Sequence, residues 1–222
     1  MQTLAERAHG IAADGIFLGG PEDQFVTAGR RTLMSLLGEG LEPSSKVLDI
    51  GCGCLRGGYW LIHFLDDECY FGIEPNVPML EAGITVILEA GLTDQKRPRF
   101  DNNADFDFTV FGEKFDFLVA RSIWTHASKD QIRTMLDGFV STTDDNGVFL
   151  TSYHKPTLFR RDYRGTQWIG RSHESGTPGI VRHSLGWIRS ECATRGLTAE
   201  EIKGKAHNFG RQTWIRIKHD VS

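Results

Sequence analysis

The chain has 222 residues, of which 40% are hydrophobic and 24% charged, and its formal net charge is −4 at pH 7. This composition excludes a disordered or fibrous protein, and the acidic balance gives the molecule no overall attraction for a nucleic acid. No linker-like stretch interrupts the middle, so we expect a single domain over residues 1–222.

The cysteine spacing and the hydropathy of the sequence further restrict the class of protein. The four cysteines lack C-x-x-C pairs, which predicts reduced thiols and no metal site. No stretch approaches the roughly 18 apolar residues that span a bilayer, so we expect a cytoplasmic protein without a membrane partner.

The first half of the chain is predicted to alternate helices and strands. Residues 1–45 form a helical cap, in which Pro21 and the acidic residues after it suit the start of a helix ending near residue 37. Strands are predicted at 46–50, 69–73 and 98–100. Helices are predicted at 55–65 and 78–90.

The second half continues this alternation. Strands are predicted at 115–120, 147–153, 198–202 and 213–218, and helices at 130–139 and 185–195. Strands separated by helices favour an α/β fold with a parallel sheet and helices on both faces. The short connection before the last strand predicts an antiparallel C-terminal strand in a sheet of seven.

The stretch KVLDIGCGCLRGG at 46–58 indicates a ligand site at the end of the first strand. Gly51 and Gly53 fill two places of the dinucleotide fingerprint G-x-G-x-x-G, but Arg56 occupies the third, which disfavours NAD. Asp49 suits an ammonium group, and the glycines let backbone approach a charged ligand that lacks phosphate. An amino acid attached to a nucleoside fits this description.

These residues resemble the first motif of class I S-adenosylmethionine-dependent methyltransferases, which have a Rossmann-like fold. Asp49, Gly51 and Gly53 match the motif, whereas Leu55 replaces a third glycine that many members carry. More narrowly, GCGCLRGG with YFGIEPN and SIWTH is similar to a group of bacterial small-molecule methyltransferases. The resemblance implies S-adenosylmethionine as cofactor and S-adenosylhomocysteine as product.

The resemblance also implies the residues that hold this cofactor. Glu74, after the second strand, occupies the position of the acidic residue that takes the ribose hydroxyls. Asp105 and Phe106 look like the pair that meets the adenine, and FDFLVAR at 115–121 resembles the motif beneath the methionine portion. The implied cofactor residues are Asp49, Gly51, Cys52, Gly53, Glu74, Pro75, Asp105, Phe106 and Arg121.

Methyl transfer from a sulfonium needs mainly proximity and alignment, with a base where the acceptor must lose a proton. His126 and His154 follow strands at their carboxyl ends, where open α/β sheets bind ligands. Either is a candidate base, and a structural role remains the alternative for each. Tyr153 is a third catalytic candidate, as an orienting group.

Residues 155–182, called the basic segment below, are predicted to be a lid. Six basic and two acidic residues give this segment a charge of +4. Long loops commonly bind ligands, and arginine pairs with carboxylate or phosphate, so we expect an anionic acceptor; a solvated loop is the alternative. The predicted acceptor residues are Phe25, Trp124, Arg160, Arg161 and Arg164. His207, Gln212 and Trp214 line the acceptor pocket or tie down the last hairpin, and we favour the latter.

The sequence therefore predicts a methyltransferase, monomeric or homodimeric, that acts on oxygen or nitrogen of a small, anionic metabolite. A nucleic-acid methyltransferase is an alternative, disfavoured by the acidic charge and by ARSIW at 120–124 in place of an Asn/Asp-Pro-Pro-Tyr signature. A non-catalytic module that binds the cofactor is a second alternative.

Overall fold

The computed structural model describes residues 2–172, 175–176, 178–203 and 212–221. The chain divides into two compact units, Met1–Asn103 and Ala104–Ser222. Its helices are α1 (Leu4–Ala13), α2 (Phe25–Leu37), α3 (Gly58–Phe64), α4 (Val77–Ala82), α5 (Leu92–Lys96), α6 (Lys129–Thr142) and α7 (Leu185–Ala193). Its strands are β1 (Val47–Ile50), β2 (Tyr70–Ile73), β3 (Arg99–Asp101), β4 (Phe115–Ala120), β5 (Thr143–Tyr153), β6 (Leu197–Ile202) and β7 (Thr213–His219).

The first unit is built around three parallel strands. β1 pairs with β2 and β2 with β3, so that Asp49 lies opposite Gly72 and Ile73 opposite Asp101. Every residue of β1 and β2 is buried, as expected for parallel strands with both faces covered. Because parallel strands end at one edge, the turns after β1 and β2 are neighbours.

Two predicted helices of the first unit differ from the structure. The helix predicted at 55–65 begins only at Gly58, because Leu55 adopts a left-handed backbone (φ 59°). The helix predicted at 78–90 is interrupted: α4 ends at Ala82, a π-helical turn covers Gly83–Ile87, and α5 begins after Gly91. A Cβ at Gly83 would lie 2.7 Å from the carbonyl carbon of Cys54, so this segment packs directly on the glycine-rich turn.

The second unit contains the remaining four strands. β4 and β5 are parallel, and β7 is antiparallel to both β5 and β6. β7 therefore lies between β5 and β6, with Ile215 and Ile217 fully buried. The antiparallel C-terminal strand is confirmed, and β6 and β7 form an antiparallel pair at one end of the strand order.

The seven strands follow the order β3-β2-β1-β4-β5-β7-β6 in one sheet. The predicted seven-stranded, mostly parallel α/β sheet with surrounding helices is thus confirmed. None of the helices in the described ranges has the length and apolar character needed to cross a membrane.

Candidate functional site

The turn after β1 is a backbone cradle. Gly51 and Gly53 have φ angles of 70° and 59°, in the region that favours glycine. The N–H groups of Gly51 and Cys52 both donate to the carbonyl of Ile73, at 2.8 and 3.1 Å. A Cβ at Gly53 would lie 2.8 Å from the terminal methyl of Met79. The turn is therefore fixed to β2 and leaves little room for side chains.

Asp49 carries a buried carboxylate immediately before this turn. Its residue is 5% exposed, and its Oδ2 accepts a hydrogen bond of 2.9 Å from the Tyr70 hydroxyl. Burial, and then the neighbouring Asp49 carboxylate, raise the pKa of Tyr70 well above its usual value, so Tyr70 stays a proton donor. A carboxylate fixed in this way suits a cationic group of a ligand.

Glu74 is the second carboxylate at this edge of the sheet. Its Oε2 accepts from the backbone N–H of Gly53 and its Oε1 from that of Asn76, each at 2.9 Å. The side-chain amide of Asn102 donates to the Glu74 carbonyl at 2.7 Å. Glu74 thus links the turns after β1, β2 and β3. Pro75, which follows it, is half-buried.

Arg56 and the N-terminal cap cover the glycine-rich turn. The Arg56 guanidinium donates to the carbonyl of Gly19 at 3.0 Å, and its neighbouring charges include Asp49. A Cβ at Gly29, within α2, would overlap the Arg56 carbonyl oxygen, so α2 packs on this turn only because Gly29 has no side chain. The sequence marked Arg56 only as a departure from the NAD fingerprint, and its role was missed.

Phe25 lies in the core of the cap and not at an open surface. It is 1% exposed and packs in a cluster with Ile11, Leu18 and Met79. This burial favours a packing role over the predicted contact with an acceptor.

The cysteines of the turn are inert thiols. Cys52 and Cys54 are free and buried, and burial raises the pKa of the Cys54 thiol to about 12 and that of Cys52 well above its usual value. Such thiols do not ionise near neutral pH and are poor ligands or nucleophiles. In the part of the chain that the structure describes, no group of three His, Cys, Asp or Glu side chains is arranged to hold a metal ion.

Asp105 and Phe106 lie at the start of the second unit. Asp105 is exposed, and Phe106 is half-buried with a left-handed backbone (φ 57°). Phe108 is the core residue of this stretch, being 1% exposed. A strained, half-exposed aromatic residue is more typical of a ligand site than of a core.

A polar network closes the carboxyl end of β4. Arg121 follows the strand and is half-buried, and Ser122 next to it adopts a left-handed backbone (φ 64°). The Ser122 N–H donates to Ser152 Oγ at 2.8 Å, and Ser152 Oγ donates to Gln212 Oε1 at 2.6 Å. Gln212 Nε2 returns a hydrogen bond to Ser122 Oγ. The serines were missed, because no local pattern marks them.

The ring of His126 is tied to the basic segment. Its Nδ1 lies 2.7 Å from the carbonyl of Ile169, whose N–H donates to the His126 carbonyl at 3.0 Å. The ring also stacks on Trp168 at 5.5 Å. Burial lowers the pKa of His126 and outweighs the backbone hydrogen bonds that favour the charged ring. These contacts favour the structural alternative for His126.

The Tyr153 hydroxyl is hydrogen-bonded to a carboxylate that also forms an ion pair. It is fully buried, and its hydroxyl donates to Glu201 at 2.7 Å. Lys155 pairs with the same carboxylate at 2.7 Å. Burial, and then Glu201, raise the pKa of Tyr153 far above its usual value. An orienting role therefore suits Tyr153 better than proton transfer.

His154 is half-buried and directly follows β5. Its carbonyl accepts from the N–H of His183 at 3.0 Å. His183 is itself fully buried, with Nε2 3.0 Å from the Ala127 carbonyl. His126 and His154, the two predicted bases, are both half-buried.

Trp124 is a core residue. It is fully buried and packs edge-to-face on Phe149 at 5.8 Å. Its position favours packing over the predicted acceptor contact. Trp214 is 4% exposed within β7, and His207 lies outside the described residues.

The basic segment is anchored at several points. The backbone N–H of Tyr163 donates to the Arg182 carbonyl at 2.8 Å. The backbone N–H of Val181 donates to the Thr125 carbonyl at 2.7 Å. Asp162 pairs with Lys129 and accepts from the Ser184 N–H at 2.7 Å. Five of its six lysines and arginines are exposed: Lys155, Arg160, Arg161, Arg164 and Arg171.

Solved methyltransferase structures share this fold. Magnesium protoporphyrin IX methyltransferase from Synechocystis PCC 6803 with bound SAM has a TM-score of 0.60 and 14% identity, over 89% of this chain and 81% of that chain. The DhpI–SAH complex has a TM-score of 0.61 and 14% identity, over 99% and 96%. The glycopeptide N-methyltransferase MtfA complexed with SAM has a TM-score of 0.62 and 14% identity, over 86% and 94%. No protein-family model and no curated protein matches the sequence.

Proposed function

We propose that this chain transfers a methyl group from S-adenosylmethionine to oxygen or nitrogen of a small acceptor. The observation that carries the proposal is the arrangement at the end of β1. There the buried carboxylate of Asp49 precedes a turn with Gly51 and Gly53 at positive φ, and Glu74 accepts from the Gly53 N–H. The fold shared with structures that hold SAM or SAH supports it.

The residues present fit this cofactor chemically. Asp49 offers a fixed negative charge to the ammonium of the methionine portion, and the two glycines leave backbone open to it. The paired oxygens of Glu74 suit the two ribose hydroxyls, and Phe106, beside Asp105, offers a ring face to the adenine. Cys52 and Pro75 contribute backbone beside these groups. Arg121 adds a cation at the end of β4.

The cofactor, when bound, supplies a methyl group that is already activated on a sulfonium. The chain therefore needs to hold the cofactor, align it with the acceptor and exclude water. Few of its own groups need to react. His154, half-buried after β5, would accept the proton of a hydroxyl or ammonium acceptor. Tyr153 would keep the end of β5 in place through its bond to Glu201.

We further propose that the acceptor carries a carboxylate or phosphate. Lys155 is paired with Glu201, and Arg182 donates to the Lys155 carbonyl, which leaves Arg160, Arg161 and Arg164 to meet an anion. The solved neighbours are named for a porphyrin and a glycopeptide, so the shared fold does not specify the acceptor. The four free, buried cysteines suit a reducing, cytoplasmic setting. A monomer or homodimer suffices for this chemistry.

Turnover with candidate acceptors tests the activity. The purified chain is incubated with radiolabelled S-adenosylmethionine and a panel of small molecules in matched pairs, with and without a carboxylate, and S-adenosylhomocysteine is quantified. We expect product with anionic members, and a loss of product in the Asp49→Asn variant. Cofactor binding without any product would instead support the non-catalytic module, and product with RNA would support the nucleic-acid enzyme.

A further inference from the structure

The basic segment presents an apolar tip to solvent. At residues 157–160 the backbone closes a tight turn: the Thr157 N–H donates to the Arg160 carbonyl at 2.8 Å, and the Arg160 N–H donates back at 3.2 Å. The Thr157 hydroxyl oxygen accepts a further bond of 3.2 Å from the Arg160 N–H. Leu158 and Phe159 occupy the tip, which we call the 158–159 tip. The turn therefore holds two apolar side chains outward in a defined geometry.

The exposure of this tip stands apart from that of other apolar side chains. Leu158 and Phe159 are each 91% exposed, against 74% for Val221 and 51% for Met34. Single exposed apolar residues are common and need no explanation. Two neighbouring residues, one of them aromatic, that are both exposed on a hydrogen-bonded turn favour a contact surface.

Unpaired positive charge surrounds the tip. Arg160, Arg161 and Arg164 are exposed and make no ion pair with any residue in the described ranges. Several other cations of this unit are paired, as Lys129 is with Asp162 and Arg195 with Asp137. The segment has a charge of +4 in a chain of net charge −4, so the basic character is local. A surface that combines this charge with apolar side chains complements an anionic, partly apolar partner.

We propose that the 158–159 tip is a peripheral contact with an anionic lipid surface. Leu158 and Phe159 would enter the boundary between headgroups and acyl chains, while the three arginines pair with lipid phosphates. Few side chains suffice for such binding, since apolar burial and attraction to anionic headgroups add together. A specific protein partner instead needs about 800 Å² from each side, more than a two-residue tip offers.

This contact shares its arginines with the proposed acceptor site, but it requires neither the cofactor nor a spanning helix. It would place the second unit at a membrane surface, where amphiphilic molecules gather. The acceptor proposal already uses arginines of the basic segment, so the decisive variant changes only the apolar residues. Vesicle binding measured without cofactor therefore tests the lipid contact, and turnover tests the proposed methyl transfer.

Co-sedimentation with vesicles tests the proposal. The full chain is mixed with phosphatidylcholine vesicles that contain either no anionic lipid or about 30% phosphatidylglycerol. We expect at least about tenfold stronger binding to the anionic vesicles, and loss of this difference when salt is raised to about 0.5 M. Failure of the wild-type chain to bind anionic vesicles would overturn the proposal.

A matched pair of variants distinguishes binding through the 158–159 tip from nonspecific adsorption by exposed apolar side chains. The double variant Leu158→Ser/Phe159→Ser should bind anionic vesicles at least about tenfold more weakly, with an unchanged midpoint of urea unfolding because both side chains are exposed. The control Val221→Ser removes another exposed apolar side chain and should bind like the wild type. Equal binding by the double variant and the wild type would show that charge alone, without the tip, accounts for the contact, and would contradict the proposal.

Discussion

The turn after β1 and the turn after β4 each reverse the backbone at the carboxyl end of a parallel strand, with different residues. The first uses Gly51 and Gly53, at φ 70° and 59°, and the second uses Ser122, at φ 64°. Glycine adopts this conformation without a steric penalty, whereas serine pays about 1 kcal/mol for it. The serine turn must therefore be held by its surroundings.

Distant residues hold the serine turn. Ser152 lies 30 residues further along the chain and Gln212 90 residues further, and both bond to Ser122. The glycine turn is held by Ile73 and Glu74 of the adjacent strand. The difference teaches that the glycine turn is a local motif held by the adjacent strand. The geometry of the serine turn depends instead on residues at the ends of three strands.

The largest expected effect tests the packing that covers the glycine turn. Gly29→Ala puts a Cβ where the Arg56 carbonyl oxygen lies, so α2 must move away from the turn. We expect the free energy of unfolding to fall by about 3 kcal/mol or more in urea titrations. Gly10→Ala in α1 is the matched control: nothing lies within 4 Å of its Cβ, and it should stabilise by about 0.5–1 kcal/mol. Similar stabilities for the two variants would refute this packing.

The next effect concerns the carboxylate that joins the two turns after β1 and β2. Glu74→Gln places an amide where two backbone N–H groups now donate to carboxylate oxygens. We expect the affinity for S-adenosylmethionine to fall about 30-fold, corresponding to about 2 kcal/mol. Calorimetric titration measures it. Glu81→Gln, on the exposed side of α4, is the control and should bind normally; equal losses in both variants would contradict a specific role for Glu74.

A smaller effect separates strain from hydrogen bonding at the serine turn. Ser122→Ala keeps the strained backbone and loses the hydroxyl that accepts from Gln212, which should cost about 1 kcal/mol of stability. Ser122→Gly also loses the hydroxyl but relieves the strain, so it should be close to neutral. Urea unfolding of both variants decides the point. If glycine is no better tolerated than alanine, the turn is not strained.

The smallest effect is a pH dependence in the second unit. Burial lowers the pKa of His126 and His183 below the ordinary 6.5. The unfolded chain therefore binds more protons, and stability is complete above pH 6.5 and is lost as the pH falls from there through the folded pKa values. Carboxylates with a lowered pKa, such as Glu191, lose their contribution to stability only as the pH falls below about 4.5.

His183→Gln isolates part of this pH dependence. Free energies of unfolding measured between about pH 7.5 and 5.5 should decline less steeply in the variant than in the wild type. Parallel declines in the two proteins would mean that the proton uptake occurs elsewhere.

The two turns also show what the sequence could predict. β1 and β4 were located within one residue because both are continuous apolar runs, and Asp49 with its glycines forms a motif of five consecutive positions. The side-chain contacts of His126 and Tyr153 are with Ile169, 43 residues away, and with Glu201, 48 residues away. The interruption at Gly83 depends on contact with Cys54. Local sequence patterns do not predict contacts between residues so far apart in the chain.

The central claim is that Asp49 and the glycine turn hold the amino-acid end of S-adenosylmethionine. Calorimetric titration of the wild type and of Asp49→Asn tests it most directly, because asparagine keeps the shape and the bond from Tyr70 but removes the charge. We predict one saturable site in the wild type and an affinity reduced about 10- to 100-fold in the variant. No heat from the wild type, or undiminished binding by Asp49→Asn, would contradict the account.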